Sequence, residues 1–388
     1  MSKPRLLFIS THFPDTGDPH RGLDNAALLH QLQARWDIAT LAVRPVLPFG
    51  GKDWEPRSDD LDLFPRFVPS KYVPKFGQKL NHGLMAGSLR KTVRQLYGSF
   101  QVVLSTWLHP DCCAVAILAK EMGFPFVAVA HGAEVHEMRE NPELRQAVGE
   151  LLAPASAVIT RSKEAAALLE EAHMPREVIH PVYNGVDLQM FQPGDVAEAR
   201  EDLGLPADRC IILFVGEFMA TKNPLLLIEA FSRLRDDDEF ENSVLVLVGG
   251  GPMVDEMTFR AGRGRTADHV LFAGRQPPAN VAKFMRAADV LCLPNEREGV
   301  PNVVFEAYAS GLPVVATGGG GAGEVQCEDY LGRLVSGRDI DALVDALKAT
   351  LSQPPDRARI QQFGTKFTWE RSAAAYHQIL AKAAGVGA

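Results

Sequence analysis

Short apolar runs alternate with amphipathic stretches along almost the whole chain. Leu6–Ser10, Ile38–Val43, Gln101–Ser105, Phe126–Ala130, Ala157–Thr160 and Val178–Val182 form one series of runs. Ile211–Val215, Val244–Val248, Val270–Phe272, Val290–Leu293 and Val314–Ala316 form a second. They are rich in Val, Ile and Leu with little polar alternation, so each predicts a strand covered on both faces, as in a parallel sheet between helices. Helical spacing fills the intervals at Leu23–Ala34, Pro142–Leu152, Lys163–Glu171, Leu225–Leu234, Val281–Ala287, Val303–Ala309 and Ile340–Leu351. Strand and helix alternating twice over predict an α/β chain of two doubly wound parallel-sheet domains. The Asn184-Gly185 turn signal within Pro181–Pro193 marks the seam. The domains are then residues 1–190 and 191–365. A last helical stretch, about 366–384 with Trp369–Ala383 at its centre, follows the second series and is free to pack back on the first domain.

Composition narrows the function classes. The 388 residues are 46% apolar and 23% charged, as in an ordinary globular protein. Lys and Arg number 40 against 48 Asp and Glu, a net charge of −8, which argues against a general nucleic-acid binder. The deficit sits in the second half: residues 1–190 carry a net −1 and residues 191–388 a net −7. The five cysteines, Cys112, Cys113, Cys210, Cys292 and Cys327, contain no C-x-x-C pair, and their odd number excludes complete pairing. A reducing, cytoplasmic setting is expected. The apolar run after Arg5 is too short for a secretory signal, and no run of about 18 apolar residues is present.

One segment departs from the average. Leu63–Pro110 holds no Asp or Glu across 48 residues, while Arg66, Lys71, Lys75, Lys79, Arg90, Lys91 and Arg94 alternate with Phe64, Phe67, Tyr72, Phe76 and Tyr97. Such a basic, aromatic island over 63–97 suits an anionic membrane surface, where each base adds about 1 kcal/mol. A solvated loop and helix would carry the same composition.

The densest chemistry lies in Asn295-Glu296-Arg297-Glu298-Gly299-Val300-Pro301-Asn302-Val303-Val304-Phe305-Glu306. It follows a buried strand and opens a helix near Asn302, so it falls at the C-terminal strand edge where α/β sheets bind ligands. Free N–H groups over Gly299–Val303 would favour an anion there. Glu298 precedes the helix and Glu306 lies inside it. A carboxylate in that place can accept both hydroxyls of a diol. Either glutamate alone reads equally as a helix cap or a solvated face; two at this spacing around a Gly-x-Pro-Asn turn are more specific.

Glu298 and Glu306 form the E-x7-E pattern, and the stretch resembles the retaining GT-B glycosyltransferases of family GT4. The resemblance extends over nearly the full chain. Asn184-Gly185-Val186-Asp187 with Phe191 is similar to the family's N-G-V-D-x-x-x-F linker. Val215-Gly216 with Lys222-Asn223-Pro224 resembles its phosphate segment, and Val248-Gly249-Gly250-Gly251-Pro252 its V-G-x-G-P loop. Gly318–Gly321 and Glu324 stand where the family has D-V-G-G-x-x-E. The likeness extends to bacterial exopolysaccharide and teichuronic-acid enzymes. It implies a GT-B fold, with the two Rossmann-like domains facing each other across a cleft, the N-terminal one for the acceptor and the C-terminal one for a nucleotide-sugar, UDP- or GDP-linked.

The resemblance also implies roles. Glu306 would take the ribose hydroxyls, Glu298 would stand by the donor sugar, and the amides around Val300–Asn302, in the turn of Gly299, Val300, Pro301 and Asn302, would touch sugar hydroxyls and phosphate. Lys222 would neutralise the leaving diphosphate, a role that electrostatics also supports. His131 in His131-Gly132-Ala133-Glu134 would lie beside the anomeric carbon, with Glu134 adjacent, and Gly22 would open a phosphate-approaching loop over Thr11–Gly22. Glu217 stands where the family commonly has Arg; it must point away or be paired, with Arg275 or Arg297 supplying the charge. The family's route is a front-face substitution with no agreed nucleophile, in which the leaving phosphate helps deprotonate the acceptor. No Asp-x-Asp occurs among these motifs, so no metal or cofactor is expected. With the basic island, the expected acceptor is a lipid-linked saccharide at the inner face of the plasma membrane, the alternative a soluble small molecule. The phosphate-binding motif G-x-G-x-x-G of a nicotinamide enzyme is missing after the first strand, and no P-loop occurs. A sugar-nucleotide epimerase or phosphorylase and a non-catalytic binding module are the remaining rivals.

Overall fold

The computed structural model describes residues 3–46, 54–74, 79–295, 299–318 and 321–387. The chain divides into two compact units, one of Met1–Asn184 with Trp369–Ala388 and one of Gly185–Thr368.

The first unit runs β1 (Arg5–Ser10), α1 (Leu23–Leu32), β2 (Asp37–Val46), β3 (Pro65–Lys71), α2 (Asn81–Leu96), β4 (Val102–Thr106), α3 (Cys113–Met122), β5 (Phe126–Ala130), α4 (Ala133–Glu140), α5 (Pro142–Leu152), β6 (Ala157–Thr160), α6 (Lys163–Glu171) and β7 (Ile179–Pro181). Its seven strands form one parallel sheet in the order β3-β2-β1-β4-β5-β6-β7. Successive strand residues enter opposite cores: Leu7, Ile9, Val103, Ala128 and Val158 one, Leu6, Phe8, Val102, Val127 and Ile159 the other. Both faces are covered, which is why the strands lack polar alternation.

The second unit runs α7 (Val196–Asp202), β8 (Ile211–Val215), α8 (Pro224–Leu234), β9 (Val244–Val248), α9 (Val254–Ala261), β10 (Val270–Gly274), α10 (Pro278–Ala287), β11 (Val290–Leu293), α11 (Asn302–Ala309), β12 (Val314–Thr317), α12 (Ala322–Val325), β13 (Gly332–Val335), α13 (Ile340–Ser352) and α14 (Arg357–Gly364). Its parallel sheet has the order β10-β9-β8-β11-β12-β13. The chain then returns to the first unit as α15 (Trp369–Ala384), which buries Ala373, Tyr376 and Leu380 in the second of that unit's cores. The Trp36 indole N–H donates to His377 Nδ1 at 3.1 Å.

Two strands have no counterpart among the sequence runs, and both are sheet edges. β3 carries Pro65 and Pro69, which an edge tolerates because one side of the strand needs no ladder donor. β13 is four residues long with Arg333 and Leu334 exposed, so it shows no continuous apolar run. Helix α3 was hidden by the opposite problem: six of its ten residues are buried and it reads apolar all round.

The strand order reverses between β1 and β4 in the first unit and between β8 and β11 in the second. At such a switch point the loops diverge and leave a crevice at the C-terminal strand ends, where ligands bind in this class of sheet.

Candidate active site

The second unit's switch point is lined by the loops after β8 and β11. The glycine loop after β9 locks onto the β8 loop: Phe218 N–H donates to the Gly250 carbonyl at 3.0 Å and Met253 N–H to the Phe218 carbonyl at 3.1 Å. Gly249 sits at φ 148°, and a Cβ there would stand 1.8 Å from the Gly216 oxygen, so no other residue fits. Lys222 ends a short 3-10 turn, Ala220–Lys222, directly before α8; Asn223 takes a left-handed conformation and Pro224 starts the helix. Glu217 is paired: its Oε1 lies 3.4 Å from Arg275 Nη2, and both side chains are more than half exposed. Arg275 therefore offsets Glu217, and its stem packs over Gly250.

Glu296, Arg297 and Glu298 lie outside the described residues, as do Gly319 and Gly320. Gly299, Val300 and Pro301 are buried, and Pro301 forms the extended cap of α11, whose first residue is Asn302. The loop after β12 packs on this turn: a Cβ at Gly321 would meet Val300 N at 2.7 Å. From behind, α14 clamps α11, because Gly364 lets the two backbones touch at Ala309. Glu306 projects from α11 half-buried, and among the described residues no hydrogen bond reaches its carboxylate. Burial pushes that carboxyl up to about 7. A desolvated acceptor without a donor is a place prepared for a ligand hydroxyl.

The first unit's switch point is denser. His131 follows β5, and burial pushes its ring down to about 4, so it is neutral at pH 7. Nδ1 lies 3.9 Å from Asp24 Oδ2, and Nε2 is buried with no hydrogen-bond partner among the described residues. Glu134 is 3% exposed, and its Oε1 accepts the His131 backbone N–H at 2.7 Å. It thus supports His131 from beneath; burial pushes its carboxyl up to about 7. Asp24 forms an ion pair with the buried Arg161, whose Nη2 also donates to Asn25 Oδ1 at 2.7 Å. Gly22 caps α1 at φ 64°, and a Cβ there would stand 2.3 Å from the His12 carbonyl oxygen. That close approach demands the glycine, and Asn25 Nδ2 bonds the same oxygen at 2.8 Å.

Three aromatic rings gather beside these groups. His12 stacks on Trp107 at 4.5 Å, and both lie within 6 Å of the His131 ring, at 5.9 and 5.5 Å. Asp111, fully buried, accepts Ser10 Oγ, Thr11 N and Thr11 Oγ1 on its Oδ2 at 3.0, 2.6 and 2.9 Å. His12, Asp24, Trp107, Asp111 and Arg161 were not singled out by the motifs. Their shared signal is position alone, since each lies just beyond a β-strand end or at the start of a helix.

The basic island becomes β3, α2 and the turns around them. Lys79 pairs with Glu143 and Arg90 with Glu121 at 2.7 Å, so acids distant in sequence neutralise two of its bases. Lys75 and Phe76 lie outside the described residues. Arg66, Lys71, Lys91 and Arg94 are exposed, as are Phe64 (74%), Leu80 (65%) and Tyr97 (53%). Among the described residues, no helix is long and apolar enough to cross a membrane, and no group of three or more His, Cys, Asp or Glu could hold a metal ion.

The chain matches the model for glycosyl transferases group 1 over residues 195–367 and that for glycosyltransferase family 4 over residues 28–190. A D-inositol 3-phosphate glycosyltransferase of Nocardia farcinica is 31% identical over 332 residues, 77% of this chain and 72% of that protein. The chain belongs to glycosyltransferase family 4. Another protein of the same name, from Kribbella flavida, is 34% identical over 215 residues; the match spans 52% of this glycosyltransferase and only half of that relative. Among solved structures, Anabaena HepE in complex with UDP superposes with a TM-score of 0.77 at 18% identity, covering 97% of this chain and 99% of that one. The sucrose-phosphate synthase of Thermosynechococcus elongatus gives 0.72 at 21%, covering 97% and 98%. Both likenesses are of fold, and the glycosyltransferase has the two Rossmann-like domains of the GT-B class.

Proposed function

We propose that this glycosyltransferase moves a sugar from a UDP-sugar to a hydroxyl acceptor with retention at the anomeric carbon, and needs no metal. The observation that carries the donor half is Glu306: a half-buried carboxylate, without a hydrogen-bond donor among the described residues, on the helix opening beside the second switch point. Two ribose hydroxyls supply what it lacks. Solved structures of Anabaena HepE with UDP and with UDP-glucose support uridine as the base. Lys222 and the α11 amides then do the electrostatic work of a metal on the diphosphate.

The test is a thermal-shift panel of UDP, GDP, ADP and their sugars, with and without EDTA. A ligand at 100 times its dissociation constant adds about 2.7 kcal/mol. UDP should stabilise the wild type equally in EDTA. Glu306→Gln should bind about 10- to 100-fold more weakly, from the loss of about 1.5–3 kcal/mol of charge-assisted hydrogen bonding. The ribose donates to the ionised carboxylate, and that carboxyl sits near 7. UDP affinity should therefore rise as pH passes upward through 7 in the wild type and stay flat in the variant. Equal affinity in both proteins removes Glu306 from the donor site.

For the acceptor we propose a lipid-linked saccharide at an anionic membrane surface. Exposed Gly83, Gly87, Lys91 and Arg94 follow one stripe along α2, and exposed Leu80 and Tyr97 flank its ends. A helix with that outer face can lie flat on headgroups, bases inward and apolar ends inserted. The protein should sediment with phosphatidylglycerol-containing vesicles at low salt and leave them at high salt. Lys91→Glu with Arg94→Glu should weaken this at least tenfold, at about 1 kcal/mol per base. Binding indifferent to lipid charge, or none, leaves the second reading: a soluble polyol phosphate, which the names of the inositol-phosphate relatives favour.

A further inference from the structure

Helix α2 covers one face of the first sheet but leaves a corner of it bare. Leu41 and Val43 of β2 are buried beneath α2 with Met85, Leu89 and Val93. Ala39 lies on the same face by strand alternation. It is exposed all the same, although β2 has a strand on either side. The helix ends at Leu96, short of this position. A cleft of about 410 Å³ results, the size of a small-molecule site. Leu7, the register partner of Ala39, lines it together with Leu96, Phe100 and Phe64. Arg5 and Asp37, which also line it, are the first residues of β1 and β2. The cleft therefore opens at the sheet edge opposite the switch point and is separate from the site described above.

Phe64 is the unusual residue there. It ends the 3-10 turn Ser58–Leu63 in a left-handed conformation, at φ 48°. Glycine or asparagine normally takes such a position, and a bulky aromatic residue in it is strained. Its side chain is also 74% exposed. The fold thus gains neither an easy backbone nor buried area from this phenylalanine. Register sets it beside Ala39, because the next residue, Pro65, pairs with Thr40. Bases surround the cleft: Arg66 is two residues further on, Lys91 and Arg94 lie near the end of α2, and all three are exposed. Asp37 is the carboxylate that lines the cleft, and Arg5 faces it at 4.0 Å.

We propose that this cleft takes one acyl chain of an anionic membrane lipid. The aliphatic tail covers Ala39 and lies between Phe64 on one side and Leu96 and Phe100 on the other. The headgroup phosphate stays in water among the neighbouring bases. This rests on the membrane reading of α2 and deepens it: the exposed bases attract the surface, and the cleft holds a single lipid of it. A bilayer offers both parts at once, an anionic plane and a tail to draw from it. An occupant of this kind also gives Phe64 the apolar contact that the chain itself does not supply.

The experiment uses the full chain, phosphatidylglycerol vesicles and alkyl phosphates kept below micelle formation. In the wild type, each pair of methylenes added from hexyl to octyl to decyl phosphate should tighten binding about tenfold. Ala39→Phe fills the bare corner without changing charge. It should weaken vesicle binding at low salt about tenfold and remove the dependence on alkyl chain length. Phe64→Gly should weaken vesicle binding by a similar factor, yet melt at or above the wild-type temperature, because glycine relieves the left-handed strain. Should Ala39→Phe fail to fold, Phe64→Gly carries the test. Vesicle binding within about threefold of wild type in the folded variants overturns the cleft and leaves the membrane reading of α2 standing. A lowered melting point in Phe64→Gly with alkyl phosphate binding unchanged makes Phe64 a structural residue and also overturns it. If the wild type does not bind vesicles, the membrane reading fails first and this inference with it, even where alkyl phosphates bind.

Discussion

Replacing Lys222 by methionine should lower kcat by about 100- to 1,000-fold while changing UDP affinity much less. The nucleoside diphosphate gains charge as its bond to the sugar breaks, so a fixed cation stabilises the transition state more than the bound substrate. The backbone makes Lys222 such a fixed group. It ends a 3-10 turn, its neighbour Asn223 is left-handed, and Pro224 locks the first residue of α8. Lys222→Arg keeps the charge on a longer, planar head and should recover part of the loss. The split between kcat and affinity is the measurement that matters. A variant that binds UDP poorly but turns over normally would make Lys222 a ground-state contact only.

Asp15→Ala should cost about 3–5 kcal/mol, the largest stability loss expected from a single change near the site. Asp15 and Arg44 are buried, at 4% and 3% exposure, and Arg44 Nη2 lies 2.6 Å from the carboxylate. The guanidinium also donates to the Thr11 and Phe13 carbonyls at 3.2 and 2.6 Å, while Asp15 Oδ1 accepts Gly17 N–H and Asp18 N–H. Removing the carboxylate leaves a charged group in the interior and unties the loop that carries His12. At about 2–4 °C per kcal/mol for a unit of this size, the first unit's melting point should drop by about 6–20 °C. Arg44→Met made together with Asp15→Ala should recover much of the loss, because no charge is then stranded. Burial raises the Asp15 carboxyl, but Arg44 and the Asp18 and Gly17 amides outweigh it and hold it below the usual carboxylate range. The stabilisation is thus complete above the unfolded value of 3.8 and is lost as pH falls through the depressed folded value. A melting point unchanged by Asp15→Ala at neutral pH would show that the pair does not hold the loop.

The legible and illegible parts of this protein divide along a physical line. Buried central strands were legible because both of their faces demand apolar residues, so β1, β4, β5, β8, β9 and β11 are visible as runs. Edge strands β3 and β13 were not, because one side of an edge faces solvent and tolerates proline, glycine and arginine. The turns proposed for the donor were legible because they are local. Glu306, Pro301 and Asn302 share one strand–turn–helix step, and Lys222 sits on another. The Glu217 departure was visible, and so were Arg275 and Arg297 as the cations to set against it; that Arg275, 58 residues away, pairs with Glu217 itself was decided by the sheet, because β8 and β10 flank the same strand.

The chain's own order of residues thus determined the class of fold, the family and the turns at the C-terminal strand ends, since strand burial, helix starts and close glycine contacts are set over a few residues. Tertiary structure alone decided which side chains work together. Asp111 and Thr11 are 100 residues apart, and Arg161 and Asn25 are 136 apart. They meet because a parallel sheet brings the ends of distant strands to one edge, and burial there sets their charge. Desolvation makes His131 neutral and places Glu306 and Asp111 near 7. No spacing along the chain encodes a dielectric environment; it exists only once the helices have closed over the sheet.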